Sequence, residues 1–290
     1  MDLFLQFLAN GLVQGMFYAL SALGLTLIFG LMRVVNFAHG EFYMMGGLLG
    51  WYVTSRLGLD FFTGLVLVTL VMAAFGWLVD RLLIERVRHL GEEPGILLTI
   101  GLSIFLVNTA MLIVGTAPEK VAGPVGNAPL IFGPIVLTKL RLFAVGCCAA
   151  AIVAAHLLIR KTRLGRAMRA TFQDPMAARL AGINTARVYA STFALGTTLA
   201  AISGMLLGSI YVVQVSVGGV VSLKAFVVVI LGGMGSFAGA IVGGLVLGIA
   251  EAMWGGYLST GLVDIVGFVI VILTLIFRPY GLFSTRAERA

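Results

Sequence analysis

The chain alternates long apolar runs with short polar connections. Several runs exceed the ~18–20 apolar residues that a helix needs to cross ~30 Å of hydrocarbon. One run, Ala225–Leu231, is too short to cross alone: either Gly232 and Gly233 extend it, or it is a broken or re-entrant element. The pattern predicts an all-α, polytopic membrane protein with about eight or nine transmembrane helices. The predicted segments are Phe4–Leu31, Phe37–Thr54, Phe61–Val79, Ile96–Gly115, Leu142–Ile159, Val188–Val213, Ala225–Leu231, Ala238–Trp254 and Leu262–Phe277.

The composition supports a membrane protein formed by a single domain over residues 1–290. Of these residues 60% are hydrophobic and 11% are charged, and the mean hydropathy is +1.08. Soluble domains are about half apolar and about a quarter charged. No basic region precedes the first apolar run, so we expect that run to remain as a span rather than to be cleaved as a signal peptide. Cys147 and Cys148 are adjacent in an apolar run and are expected to pack there, not to form a disulfide framework.

The net charge of +7 reflects membrane orientation better than nucleic-acid binding, because the basic residues fall in short loops between spans. With nine crossings, 14 of the 19 Lys and Arg lie on one side, which the positive-inside rule makes cytoplasmic. The N-terminus is then expected outside and the C-terminus inside. The inner group comprises Arg33, Arg81–Arg88, Arg160–Arg187 and Arg278–Arg289; the outer group comprises Arg56, Lys120, Lys139, Arg141 and Lys224.

Two loops are long enough to carry structure of their own. The outer loop, residues 116–140, is rich in Pro and Gly and predicts a fixed, turn-rich surface rather than a helix. In the inner loop, residues 160–187, Asp174 is a predicted N-cap, Pro175 occupies the first helical position and Gly182 ends a short helix. A second helical piece, Gly165–Thr171, precedes it. Its Arg166 and Arg169 are three residues apart and share a face; an amphipathic helix lying on lipid headgroups is the alternative.

A strongly polar stretch separates the first two apolar runs. It contains Arg33, Asn36, His39 and Glu41. Asn36 is a candidate N-cap, and Glu41 in the first turns would favour the helix dipole. Capping does not account for His39, nor for the aromatic and Met residues that follow. The stretch suits a gate or the lining of a path near the inner side, with Asn36, His39, Glu41 and Tyr43 as candidate residues.

Signatures of catalysis are mostly absent from the sequence. It contains no GxxxxGK[ST] loop for ATP and no HExxH or Cys/His cluster for a metal, so we expect neither an enzyme nor a bound cofactor or metal. A Ser–His pair from Ser236 or Ser203 with His156 has no nucleophile motif to support it. Glu251 and Asp264 are predicted to approach the outer interface, where solvation explains both.

Four stretches together resemble the permeases of hydrophobic (branched-chain) amino-acid ABC importers, and among them the LivH-type subunit. They are "GLTLIFGLMRVVNFAHGEFYMMGG", "TRLGRAMRATFQDPMAARLAGIN", "AFVVVILGGMGSFAGAIVGGLVLG" and "LIFRPYGLF". The resemblance spans nearly the whole chain. It implies a bacterial inner-membrane permease that works by alternating access with a second, LivM-like permease. Two ATP-binding subunits and a periplasmic substrate-binding protein would complete the importer, so ATP would be bound by partner chains.

The resemblance places the family's ATPase-coupling loop on Gly165–Asn184. The residues concerned are Gly165, Arg166, Arg169, Asp174, Pro175, Ala177, Leu180 and Gly182. Importers of urea and amides share this architecture, so the resemblance does not identify which solute is transported. The alternatives are a facilitative channel for a small polar solute such as urea or an amide, with a filter near Gly232–Gly239, and a scaffold without transport. A channel needs no docking helix, and a scaffold needs no polar stretch within its spans.

Overall fold

The computed structural model describes residues 2–32 and 34–283, and within them the chain is almost entirely helical. The inner-side assignments of Arg33, Arg286 and Arg289 lie outside the described residues. The helices are α1 Asp2–Met32, α2 His39–Trp51, α3 Phe61–Val79, α4 Glu85–Val87, α5 Glu92–Val114, α6 Lys139–Lys161, α7 Arg163–Gln173, α8 Pro175–Leu180, α9 Thr185–Ile210, α10 Val217–Gly232, α11 Phe237–Tyr257 and α12 Val263–Phe277. Single π or 3-10 turns extend α2, α3 and α4 and precede α12, at Tyr52–Arg56, Asp80–Ile84, Arg88–Leu90 and Thr260–Leu262.

The predicted all-α, polytopic fold is confirmed. Within the described residues, seven helical runs are long and apolar enough to cross a membrane. The predicted segment Ala225–Leu231 lies inside α10, whose 16 residues extend about 24 Å, less than the ~30 Å of a hydrocarbon core. The seven runs are Asp2–Met32, Phe61–Leu90, Glu93–Val114, Lys139–Lys161, Thr185–Ile210, Phe237–Tyr257 and Thr260–Phe277.

Helices α1 and α9 form the centre of the bundle and are mostly buried, whereas α5 and α12 are mostly exposed at its periphery. Close approach of α1 to α11 depends on glycine. A Cβ on Gly15 would lie 2.8 Å from the Cα of Leu245, and one on Gly11 would lie 2.6 Å from the Cα of Ile249. Small residues let membrane helices pack backbone to backbone, so the glycine-rich composition is a packing feature of this core.

The outer loop contains a two-stranded antiparallel hairpin between α5 and α6. Its strands are β1 Pro129–Phe132 and β2 Ile135–Thr138, and Gly133 in the turn has a φ of 60°. An isolated bridge pairs Glu119 with Val213, which fastens the start of the loop to the segment after α9. A non-helical, turn-rich loop was predicted; the hairpin was not, because its strands are only four residues long.

Candidate functional site

The polar break, defined here as residues 34–41, connects α1 to α2 in the interior of the bundle. Helix α2 begins at His39, and its N-cap is Ala38, which makes no side-chain capping bond. The predicted capping role of Asn36 is therefore wrong: its Oδ1 accepts from the Ala38 N–H at 3.1 Å, within the turn that precedes the helix. Glu41 does lie in the first turn of α2, as predicted.

Side chains from two other helices hold the backbone of the polar break. Thr99 of α5 donates to the Val35 carbonyl at 3.1 Å. Ser222 of α10 accepts from the Gly40 N–H at 2.7 Å and donates to the Phe37 carbonyl at 3.2 Å. These hydroxyls satisfy backbone groups that no helix partner reaches, which explains how a non-helical stretch persists inside the bundle.

The break contains two buried ionisable side chains, each with one polar contact among the described residues. The Nε2 of His39 lies 2.9 Å from the carbonyl oxygen of Ser21, in the middle of α1. That oxygen can only accept, so Nε2 is the donor. The Oε1 of Glu41 accepts from Ser103 at 3.0 Å. The start of α2 therefore lies beside the middle of α1, not beside its C-terminal end.

The four candidate gate residues are enclosed in this conformation. Asn36 and His39 are 0% exposed, Glu41 is 2% exposed and Tyr43 is also buried. Glu41 lies directly against α10, because a Cβ on Gly218 would come 2.5 Å from its carboxyl carbon. A path past these residues would require α2 and α10 to separate. The gate role is therefore not visible in this conformation and stays a prediction.

The inner loop folds into two helices, close to the predicted bounds. The Asp174 carboxylate caps α8 by accepting from the N–H groups of Met176 at 2.8 Å and Ala177 at 3.0 Å. Pro175 is the first helical residue, and Gly182 has a φ of 81°, which allows the chain to leave the helix. All three signals read from the sequence act as predicted, so α8 is a compact unit with two defined ends.

Helix α8 is attached on one side and free on the other. Ala178 is buried, and Arg179 donates to Thr185 at 2.9 Å, which ties α8 to the start of α9. On the opposite side Met176 is 67% exposed and Leu180 is 82% exposed, with Ala177 exposed between them. An apolar, solvent-facing surface on a capped element is suited to contact with another protein.

Helix α7 connects α8 to the transmembrane core. Thr162 caps it by accepting from the Gly165 N–H at 3.0 Å, and Gly165 packs so closely on the end of α6 that a Cβ would overlap the Ile159 carbonyl. Arg169 donates to that same carbonyl, while Arg166 is exposed. The predicted Gly165–Thr171 helix therefore exists within Arg163–Gln173, and it is held against the core at its first turn.

A largely buried ionic cluster lies between α1, α10 and α11. The Lys224 ammonium contacts both carboxylate oxygens of Glu251 at 2.9 Å and donates to the Tyr18 hydroxyl at 3.1 Å. Tyr18 donates to Glu251 at 2.6 Å. The predicted solvation of Glu251 is wrong, because its side chain is buried and paired across three helices. Asp264 also pairs with Lys224, at 3.1 Å, and is exposed as expected.

A cavity of about 430 Å³ opens beside this cluster. Its lining combines the cluster with polar residues of α1 and the segment after α9, including Asn10, Gln14, Tyr18 and Tyr211. One signal in the sequence could have found it: Gln6, Asn10, Gln14 and Tyr18 recur every four residues, so they share one face of an apolar helix. Among the described residues, no group of three or more His, Cys, Asp or Glu could hold a metal ion.

Comparison with known proteins gives consistent matches over nearly the whole chain. Residues 7–276 match the model of a family described as "Branched-chain amino acid transport system / permease component". The chain is 38% identical to the LivH permease protein of the high-affinity branched-chain amino acid transport system of Escherichia coli, over 97% of this chain and 96% of the relative. It is 35% identical to BraD of Pseudomonas aeruginosa, described as a permease protein of the same kind of system, with the same coverage.

Two further matches are more distant. LivM of Salmonella typhimurium, a permease protein of a high-affinity branched-chain amino acid transport system, is 26% identical over 92% of this chain and 68% of its own length. A chain of PsaBC from Streptococcus pneumoniae, solved in complex with Fab, superposes with a TM-score of 0.51 over 94% of this chain and 92% of that chain. At 14% identity this last likeness concerns the fold alone.

Proposed function

The chain belongs to the family of permease components of branched-chain amino acid transport systems, and from that premise we propose that it carries branched-chain amino acids into the cell as one subunit of an ATP-driven importer. Its relatives are permeases, and no comparison supports the facilitative-channel alternative. The observation that carries the proposal is α8: a capped helix outside the spans, fixed on one side and apolar on the exposed side.

The energy source is proposed to be a separate ATP-binding subunit. The sequence has no phosphate-binding loop of its own, so ATP would be bound and hydrolysed by partner chains. Such a partner must move the spans through a contact that does not deform. Helix α8 meets this requirement because Asp174 caps it, Gly182 ends it, and α7 links it to the core. The exposed Met176 and Leu180 are the proposed docking surface.

A second permease subunit is proposed to complete the membrane part. The chain is similar both to LivH and to LivM, the named permeases of one kind of transport system. Two homologous chains can pack about a two-fold or pseudo-two-fold axis and enclose a path between them. A LivM-like partner and a periplasmic substrate-binding protein would then complete the importer. The excess of basic residues in the α8 loop supports a cytoplasmic position for that loop, with the N-terminus outside.

The docking surface is tested by Ala177→Glu. If Ala177 enters an apolar groove of the ATP-binding subunit, an unpaired charge there costs several kcal/mol of binding free energy. The permease should insert normally, because Ala177 is exposed and lies outside the spans. We expect loss of ATPase co-purification together with loss of leucine uptake in proteoliposomes containing the complete importer.

The matched control is Gln173→Glu. It adds the same charge at an exposed position at the end of α7, without changing the apolar surface of α8. This variant should retain the ATPase and transport at close to the parental rate. An Ala177→Glu variant that still holds its ATPase and imports leucine at the parental rate would show that α8 is not the docking element.

A further inference from the structure

A polar stripe follows the N-terminal half of α1, which is the half farther from the α8 loop and is called the outer half here. It consists of Gln6, Asn10, Gln14 and Tyr18, which stand one above the other at four-residue spacing. Polar side chains at intervals on a membrane helix face protein or a water-filled cavity, not lipid. Gln6 bonds the backbone of Val136 in β2 at 3.0 Å, so the stripe begins under the outer hairpin. From there it leads to the ionic cluster.

The stripe ends at the cavity beside Lys224 and Glu251. At about 430 Å³ this cavity is within the ~300–1,000 Å³ typical of sites for small molecules. A second cation lies behind the lining: Arg141 donates to Asn10 at 3.1 Å and to the Tyr211 hydroxyl at 3.3 Å, and both of these acceptors line the cavity. One charged group of each sign, Lys224 and Glu251, therefore lines a space large enough for a small solute.

The ion pairs of the cluster differ in how firmly they are held. The Lys224–Glu251 pair is buried and is reinforced by the Tyr18 hydroxyl. The side chain of Asp264, in contrast, is 70% exposed, although it lies 3.1 Å from the same ammonium group. An exposed pair of this kind contributes little to stability. Lys224 therefore has one enclosed partner, Glu251, and one exposed partner, Asp264. Asp264 lines a smaller pocket that adjoins the cavity and shares Lys224 and Glu251 with it.

We propose that this cavity is the site at which the permease receives the charged end of the amino acid. The substrate carboxylate takes the place of Asp264 beside Lys224, and the released Asp264 carboxylate pairs with the substrate ammonium group. No charge is left unpaired by the exchange, so the solute can enter and leave at low cost, as a conduction site requires. This inference rests on the proposed function, because it assumes that the transported solute is an α-amino acid.

The alternative role for the cluster is a lock that holds α10, α11 and α12 together. The two roles predict different results for Asp264→Asn, which keeps the size of the side chain and leaves Lys224–Glu251 intact. A lock loses little when one exposed carboxylate is neutralised. A substrate site loses the group that receives the ammonium, and uptake should fall at least about tenfold, the scale of one charge-assisted hydrogen bond.

The experiment measures uptake of radiolabelled L-leucine by the complete importer in proteoliposomes, together with co-purification of the ATPase. The first variant is Asp264→Asn, which changes the exposed partner of Lys224 in the pocket that adjoins the cavity. The second is Gln14→Leu, from the uncharged part of the cavity lining. Glu85→Gln is the matched control, because it neutralises a carboxylate in an ion pair with Arg81, at 3.0 Å, far from the cavity in the α3–α4 segment. Both Asp264→Asn and Gln14→Leu should assemble with the ATPase and lose uptake, while the control should retain uptake.

Parental uptake in both Asp264→Asn and Gln14→Leu would overturn the cavity assignment and leave the proposed function standing. A parental importer that fails to take up leucine, or any other branched-chain amino acid, would instead contradict the proposed function itself. If Asp264→Asn loses ATPase co-purification together with uptake, the lock is the correct description and the cavity assignment fails.

Discussion

The polar break at residues 34–41 and the helix α8 both interrupt long apolar helices, and both have an acidic residue near a helix start. Their surroundings are opposite. In the break, Asn36 and His39 are fully buried and the backbone is held by hydroxyl groups of α5 and α10. In α8, the acidic residue caps the helix, and the apolar side chain of Leu180 is 82% exposed.

The difference shows where a short polar signal can be interpreted locally. The cap of α8 involves only residues within a few positions of one another, so the sequence motif alone determines the helix ends. In the polar break, a side chain distant in the chain binds the backbone at the start of the helix. Ser222 accepts from the backbone N–H of Gly40 at 2.7 Å, whereas the Asn36 side chain reaches only Ala38, in the turn before the helix. A tertiary contact such as that of Ser222 is invisible to a local motif.

The largest effect is expected from closing the space between α2 and α10. A Cβ on Gly40 would overlap the carbonyl oxygen of Gly218, a backbone atom that cannot move without displacing α10. Overpacking of this kind costs about 1–3 kcal/mol or more. Gly40→Ala should therefore lower the yield of folded permease and its melting temperature in detergent.

The control for this change lies on the facing helix. A Cβ on Gly219 would meet no atom within 4 Å, so Gly219→Ala should leave the melting temperature unchanged or slightly raised. Equal melting temperatures for Gly40→Ala and the parent would mean that α2 and α10 do not pack as described. The polar break would then not be held in place by contact with α10.

A smaller and more selective effect is expected from His39→Leu. We propose that the polar break is a gate, which opens when α2 separates from α10; removal of the His39 contact to Ser21 should then lower leucine uptake several-fold while the ATPase still co-purifies. The lost hydrogen bond alone costs about 1 kcal/mol. Ser21→Ala is the control, because it retains the carbonyl oxygen that His39 contacts. Uptake at the parental rate in His39→Leu would contradict the gate and leave the polar break with a packing role only.

Much of the fold follows from hydropathy. Long apolar runs indicate α1, α3, α5, α6, α9, α11 and α12, because each carries enough apolar residues to cross the bilayer. The start of α2 and the extent of α10 do not follow in the same way. Helix α10 begins at Val217, well before the apolar segment that starts at Ala225, since Gly218 and Ser222 face the polar break. Small and polar residues such as Gly218 and Ser222, which contact the polar break, have low hydropathy and are therefore indistinguishable from loop residues in a hydropathy pattern.

The candidate sites were predictable to different degrees. The ends and the exposed surface of α8 follow from its motif, as Asp174, Pro175 and Gly182 show. The ionic cluster does not, because Lys224 and Glu251 belong to different helices and pair only after those helices pack. The position of Glu251 near the end of a predicted span led to the prediction that solvent surrounds its carboxylate. The four-residue spacing of polar residues on α1 was the available sign that a cavity, not solvent or lipid, lies there.

The most direct test of the account is a photo-crosslinking measurement on the complete importer. A photoreactive side chain placed at Leu180, on the free surface of α8, should form a covalent adduct with the ATP-binding subunit. The same probe at Val136, exposed on the outer hairpin, should form none. Absence of the ATPase adduct at Leu180 would contradict the docking role of α8, and formation of the adduct at Val136 would contradict the proposed orientation of the chain.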